Sequence, residues 1–291
     1  MNRSERFVPY LFLLPALLGL LLFEFLPVLY SLGRSLYAVS FGLDGGGLIF
    51  VGLDNFRSLF TDPVFWNSLK VTLIFNVVLT PLQVILALAL ALLVNVPVRG
   101  VGIFRGLFFI PVGVSLTVTS LIWSLMLDSQ SGLLNGILTA VGIPAQGFLI
   151  DASQVLASIM LVATWKGLAG WMVFFLAGLQ GIPQSLYEAA SIDGASRPRI
   201  FYAITLPLLR RSLAFVVIAT TVANFLLFAP AYILTPTGGP QGASDLLMFE
   251  AFRSAYSQND LGRGTGITDV LLLLLLLIVG LELLLFRWLD R

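Results

Sequence analysis

The sequence predicts an all-α fold, a polytopic membrane helix bundle with six transmembrane helices and a pair of short helices in one inter-span loop. Three observations lead there. Of the 291 residues 58% are hydrophobic and 11% charged, and the mean hydropathy is +0.99. A soluble domain is roughly half apolar and a quarter charged, so in water this chain would expose large apolar patches. The apolar residues gather into runs of about 20, the length a helix needs to cross a hydrocarbon core ~30 Å thick. The runs lack the period-2 alternation of barrel strands, and of the two structures that satisfy their own backbone hydrogen bonds in lipid they select helices.

Residues 1–291 read as one membrane domain. Val8 to Tyr30 follows Arg3 and Arg6 in the manner of a signal peptide, but its core is too long and no small-residue cleavage site follows, so it is read as an uncleaved first span. The other spans are Val71 to Val94, Gly106 to Leu127, Val155 to Leu179, Leu213 to Leu234 and Ile267 to Trp288. Arginine placement orients them. With the N-terminus inside, Arg3, Arg6, Arg99, Arg105, Arg197, Arg199, Arg210, Arg211, Arg287 and Arg291 all fall on the cytoplasmic side. The expectation is a multi-pass protein of the cell (inner) membrane with both termini cytoplasmic.

On the outer side, Ser31 to Asn67 and Pro236 to Gly266 mix turn clusters such as Asp44-Gly-Gly-Gly47 with amphipathic stretches such as Asp245 to Tyr256. They are expected to form docking surfaces. In Asp128 to Ser153 the glycines at 132, 136 and 142 are expected to break any regular helix, and Gly262-Arg-Gly-Thr-Gly266 is expected to be a flexible turn into the last span.

Several chemistries are excluded. With no cysteine and no histidine there is no disulfide, thiolate nucleophile, imidazole base or His/Cys metal site. Lys70 and Lys166 are the only lysines, too few for a nucleic-acid surface. Neither sits in the Gly-x4-Gly-Lys-Ser/Thr setting of a phosphate-binding loop, so the chain cannot supply an ATPase site. No metal-binding or catalytic residue is assigned.

The longest cytoplasmic segment, Gln180 to Ser212, is the most informative. Pro183 can open a helix over Gln184 to Ile192, and Asp193-Gly194 ends it where a positive φ is cheap. A second amphipathic helix starts near Pro198, with Ile200, Phe201, Ile204 and Leu208 on one face, and Pro207 marks a kink or a fresh start. Two short helices with a small-residue elbow form a knob.

Glu188-Ala189-Ala190, Gly194 after three residues, and Ile204-Thr-Leu206-Pro207 after nine more match every fixed position of the loop motif of ABC importer permeases. Leu176 to Pro183, Phe50 to Phe56, Asp62 to Trp66 and Gly238-Gly-Pro240 add weaker agreement in the same order. Over nearly its whole length the chain resembles the permease subunits of binding-protein-dependent ABC importers of the carbohydrate branch, the maltose and glycerol-phosphate type. The resemblance implies that Glu188 to Pro207 docks in a groove of a cytoplasmic ATPase. Glu188 would meet a basic side chain, Ala189 and Ala190 would permit close approach, Gly194 would set the elbow, and Ile204, Leu206 and Pro207 would complete the second helix. It further implies a second permease subunit, an ATPase dimer that binds the ATP and Mg2+, an external solute-binding lipoprotein or periplasmic protein, and a sugar-like substrate. No cofactor is expected in this chain. A surface helix that merely caps the bundle, with Glu188 a solvated charge, is the plainer reading.

Polar residues within spans mark either a path or packing. Thr72, Asn76, Thr80 and Gln83 form a stripe on the second span, read as interhelical glue, with Gln83 also a candidate for the substrate path. Asn224, Phe228 and Tyr232 repeat every four residues along the fifth span. They suit a polyhydroxylated ligand, or glue, equally. Lys166 lies mid-span, where meeting lipid would cost about 2.5–3.5 kcal/mol. It is assigned to a cavity or to the second permease, with snorkelling beside Trp165 as the alternative. Glu24 and Glu282 are read as interface anchors and Asp269 as solvated. An ion-coupled secondary transporter using such groups is the runner-up, but it would have no need of the knob.

Overall fold

The computed structural model describes residues 3–39, 47–96 and 100–289. Asp44 to Gly46 of the expected turn cluster, and Arg99 and Arg291, lie outside the described residues. Among the described residues five helices are long and apolar enough to cross a membrane, and six if a helix pair bent by 97° counts as one span. The chain divides into two compact units, Met1–Phe65 with Glu250–Leu273, and Trp66–Phe249 with Leu274–Arg291.

In the first unit, α1 (Arg3–Leu20) runs through a π-helical turn at Leu21–Phe25 into α2 (Leu26–Arg34). The turn stands just before Pro27, and the Leu26 amide reaches back five residues to Leu21. A proline ring clashes with the carbonyl four residues earlier, and the wider turn moves that carbonyl aside. Departing from the all-helical expectation, β1 (Tyr37–Val39) pairs antiparallel with β2 (Leu48–Phe50) in a small ribbon. It leads to α3 (Asp54–Thr61), whose Asn55 Nδ2 donates to the carbonyls of Ser35 (2.7 Å) and Tyr37 (3.2 Å).

Two expectations fail in this unit. The Gly262 to Gly266 stretch is no turn, because the last helix has already begun at Leu261. A Cβ at Gly264 would stand 2.8 Å from the Ala251 carbonyl oxygen, and one at Gly266 3.3 Å from Leu59. The glycines are there for close packing. Asp269 is not solvated either: it is 3% exposed and accepts a 3.1 Å hydrogen bond from Ser31 Oγ. The same helix carries Arg263, which binds Asp62 (2.6 Å) and the buried Glu250 (3.1 Å), while Glu250 also pairs with Arg253. A carboxylate this deep is tolerated because two guanidinium groups and Ser254 meet it.

The second unit holds most of α4 (Pro63–Val94), followed by α5 (Val101–Gly113), α6 (Leu116–Met126) and α7 (Leu133–Ala140). After them come α8 (Val155–Gln180), α9 (Gln184–Ile192), α10 (Arg197–Ile200), α11 (Leu206–Leu208), α12 (Arg210–Phe225) and α13 (Ala229–Leu234). α14 (Leu247–Phe252) and α15 (Leu261–Leu289) each have one part in each unit. Two buried clusters form the core. One gathers Phe75, Leu79, Ile159, Leu246 and Phe249, and the other Ala87, Met172, Phe175, Leu209 and Val216.

The expected single span Gly106 to Leu127 is the bent pair. Pro111 lacks the amide that would continue α5, Val114 is extended (φ −87°, ψ 136°), and Ser115 caps α6 by accepting from the Val118 amide at 3.2 Å. The segment expected to lack a helix contains α7. Gly132 precedes it in an extended conformation, and Asn135 ties the loop by bonding the carbonyls of Ser129 and Gln146 and the Gln146 amide.

Candidate functional site

The knob forms as its residues dictate. Pro183 (φ −58°, ψ 129°) stands before α9, which has no proline or glycine until Gly194. There the Ala195 amide reaches the Ala190 carbonyl at 2.9 Å and the Gly194 amide reaches Ser191 at 3.1 Å, with Gly194 at φ +73°. This is a Schellman closure, and it needs a residue that tolerates the left-handed region. Pro198 sits in the first turn of α10, where its missing amide goes unused.

A π-helical turn at Phe201–Thr205 then precedes Pro207, with the Leu206 amide bonded five residues back to Phe201. The device is the one seen before Pro27. The wide turn accommodates one extra residue, which rotates everything beyond it. This corrects the expected apolar face: Leu208 is 52% exposed, and Leu209 (1%) and Thr205 (4%) are buried instead. The two arms are tied by a 3.2 Å hydrogen bond between Tyr187 Oη and Thr205 Oγ1. Their ends are held together where α8 and α12 approach so closely that a Cβ at Gly178 would overlap Ser212 and stand 2.9 Å from Leu209 Cδ2. Between the arms lies a hollow of about 410 Å3 lined by Ala190, Gly194, Ala195, Arg199, Ile200 and Ile204 among others. Glu188 and Ala189 are exposed on α9. The loop motif thus becomes a rigid, small-residue elbow presenting two carboxylates, Glu188 on α9 and Asp193 at its end.

The polar residues of the spans are arranged differently. Asn224 Nδ2 donates to Thr80 Oγ1 (3.0 Å) and Gln83 Oε1 (3.1 Å), and Gln83 Nε2 donates to the Ala163 carbonyl (3.1 Å). The three side chains, between 2% and 8% exposed, join α4, α8 and α12. The expected four-residue repeat of Asn224, Phe228 and Tyr232 does not form one helical face. α12 ends at Phe225 and α13 starts at Ala229, because Pro230 has no amide for the Leu226 carbonyl. Phe228 and Tyr232 instead stack on each other with centroids 5.2 Å apart, and Tyr232 stays 44% exposed.

Lys166 finds its partners within the chain. Its Nζ donates to the carbonyls of Pro111 (2.8 Å) and Val112 (3.0 Å), the last turn of α5. Helix breaks leave such carbonyls without donors, and a cation there also meets the negative end of the helix dipole. Sequence reading found neither this pairing nor the Tyr187–Thr205 tie. Pro111 and the capping residue Ser115, 55 and 51 positions before Lys166, were the signals for the break. Glu282, expected as an interface anchor, accepts a 2.8 Å hydrogen bond from Thr221 Oγ1.

No protein-family profile matches the chain. Curated relatives do. The sn-glycerol-3-phosphate transport system permease protein UgpA of Agrobacterium fabrum is 34% identical over 289 residues, 99% of this chain and 96% of that one. The trehalose/maltose transport system permease protein MalF of Thermococcus litoralis is 37% identical over 268 residues, 92% and 89%. The probable ABC transporter permease protein YurN of Bacillus subtilis is 33% identical over 281 residues, 95% and 94%. Among solved structures, a chain of a bacterial ABC transporter that imports the acidic polysaccharide alginate superposes with a TM-score of 0.82 at 20% identity. It covers 99% of this chain and 98% of its own.

Proposed function

The chain belongs to the permease subunits of ABC transporters, and from that premise we propose that it forms the membrane path of an ATP-driven importer for a sugar, polyol or glycerol-phosphate solute. The observation that carries the reading is the elbow at Gly194: a tied, rigid knob with Glu188 exposed on it. A knob of this build transmits motion. An ATPase dimer gripping α9 and α10 would move them as a body when it closes on ATP, and the spans continuous with them, α8 and α12, would follow. Glu188 pairs with a basic side chain of the ATPase groove, Ala189 and Ala190 allow the approach, and Ile204, Leu206 and Pro207 shape the second arm.

The solute class is supported by the curated relatives, whose names carry glycerol phosphate and trehalose or maltose. The exposed Tyr232, stacked on the half-buried Phe228, offers a ring to the C–H faces of such a solute, while Gln83 and Asn224 fix the helices around it and Lys166 holds the broken span. The chain has no ATPase site or cofactor of its own; ATP and Mg2+ belong to the partner dimer. A second permease would complete the path and an external binding protein would deliver the solute. The arginines of the 181–209 loop, Arg197 and Arg199, support a topology with that loop and both termini on the cytoplasmic side.

The test is affinity purification of the detergent-extracted chain from its native host, wild type against Glu188→Lys. An ATPase and a second permease should co-purify with wild type, and the ATPase should be lost from the variant. A wild-type chain that purifies alone, under conditions that preserve other transporter complexes, would refute the reading.

A further inference from the structure

A second polar feature adjoins the Gln83–Asn224 cluster at Thr80. Between α4, α12 and α15 is a cavity of about 310 Å3 lined by Leu73, Asn76, Val77, Thr80, Pro81, Val217, Thr221, Phe225, Ile278 and Glu282. That volume is at the lower end of ligand sites, roughly 300–1,000 Å3. Most of the wall is aliphatic or aromatic. Two of its polar groups share one character. Asn76, 5% exposed, uses its amide nitrogen on the Thr72 carbonyl and leaves Oδ1 without a partner among the described residues. Glu282 spends Oε1 on Thr221 and leaves Oε2 without one. Pro81 removes the helix donor of the Val77 carbonyl. The wall therefore carries two acceptor atoms in want of donors, Asn76 Oδ1 and Glu282 Oε2, and no lysine or arginine. Buried polar atoms in native proteins are nearly always satisfied, so an unmatched set of one sign points to a ligand that supplies the other half.

We infer that this cavity is a binding site for a neutral polyhydroxylated solute, with Glu282 and Asn76 accepting its hydroxyl protons and Leu73, Val77, Phe225 and Ile278 facing its C–H surface. The inference rests on the importer reading above and narrows it. A phosphate ester or a carboxylated sugar would bring a negative charge into a largely apolar wall with no lysine or arginine to offset it. Lys166, the one mid-span lysine or arginine among the described residues, is held by the Pro111 and Val112 carbonyls. The site therefore selects against the anionic members of the solute class.

The complete complex, with its binding protein, is reconstituted in liposomes. ATP-driven uptake is measured for three pairs of probes: glycerol and glycerol 3-phosphate, glucose and glucose 6-phosphate, maltose and maltose 6-phosphate. Uptake is expected only of neutral members. Glu282→Gln and Asn76→Leu should each lower it at least tenfold, with Glu282→Asp in between, and co-elution of the ATPase identifies the variants that have assembled. Uptake of a phosphorylated member as fast as its neutral partner overturns the proposal while leaving the importer reading intact. Wild-type uptake rates in assembled Glu282→Gln and Asn76→Leu complexes do the same. A wild-type chain that neither takes up any probe nor retains an ATPase overturns the importer reading itself.

Discussion

The elbow at Gly194 and the polar cluster at Thr80, Gln83 and Asn224 are both built where helices meet, and they treat their polar groups in opposite ways. In the elbow the backbone is closed on itself by the Schellman bonds, and the side chain that matters, Glu188, is left exposed. In the cluster the side chains are spent on one another and on the Ala163 carbonyl, so their polarity is consumed in holding α4, α8 and α12 together. An exposed carboxylate on a rigid support is available to a partner, whereas a satisfied buried amide is available to nothing. Position in a membrane protein therefore does not decide which polar residue binds. Satisfaction does.

Substitutions sharpen that contrast. The largest effect is expected from Glu188→Lys. Losing one partner of a close charge pair across an interface costs about 2–5 kcal/mol, so ATPase affinity should fall by roughly 30- to 5,000-fold. The chain's own unfolding in detergent should shift by less than about 0.5 kcal/mol, as for other exposed positions. Affinity by surface plasmon resonance and thermal melts of the isolated chain give the two numbers, and a destabilised chain with unchanged affinity would reverse the assignment. Lys166→Met should do the opposite of Glu188→Lys, removing two charge-assisted hydrogen bonds worth about 1.5–3 kcal/mol each against a relieved burial cost of about 2.5–3.5 kcal/mol, and lowering the melting temperature with α5 no longer fixed at its break. An unchanged melt would show that the break holds itself.

Next in size, a double-mutant cycle with Gln83→Leu and Asn224→Leu should give a coupling energy of about 0.6 kcal/mol and no more than ~1.7, read from detergent unfolding. Additivity would mean that the 3.1 Å bond contributes nothing. The smallest effect belongs to Asp128, whose carboxylate is held below its ordinary value near 3.8 by the amide and hydroxyl of Ser131 and the amide of Gln130. A lowered folded-state value contributes stability above the unfolded value and loses it as pH falls through the folded one. The gap in melting temperature between wild type and Asp128→Asn should therefore close as acid is added below about pH 4.

Much of this architecture was legible because the membrane makes strong demands on sequence. Runs of about 20 apolar residues fix spans, and the motif from Glu188 to Pro207 fixed α9, its end at Gly194 and the second arm. What could not be read were the places where the helix period changes. The π-helical turns before Pro27 and Pro207 each admit an extra residue, so a face counted at 3.6 residues per turn lands on Leu208 when the chain buries Leu209. The break at Pro230 scattered Asn224 from Phe228 and Tyr232 for a similar reason. Gly262, Gly264 and Gly266 looked like a turn since glycine permits one; only the neighbours, Ala251 and Leu59 among them, reveal that small size was the requirement. Lys166 was recognisable as needing a partner, but that partner is a pair of carbonyls, and every residue has one.

The staple between Lys166 and the last turn of α5 also bears on how such a chain enters the bilayer during synthesis. An ammonium group delivered alone to hydrocarbon costs about 2.5–3.5 kcal/mol. Its acceptors, Pro111 and Val112, lie 55 and 54 residues upstream and leave the ribosome first. When Lys166 arrives, the carbonyls that neutralise its cost have already been made, and the fourth span can be released beside the third as a ready pair. The helix break thus serves before the protein is complete, as the prepared berth for a charge that lipid would otherwise refuse.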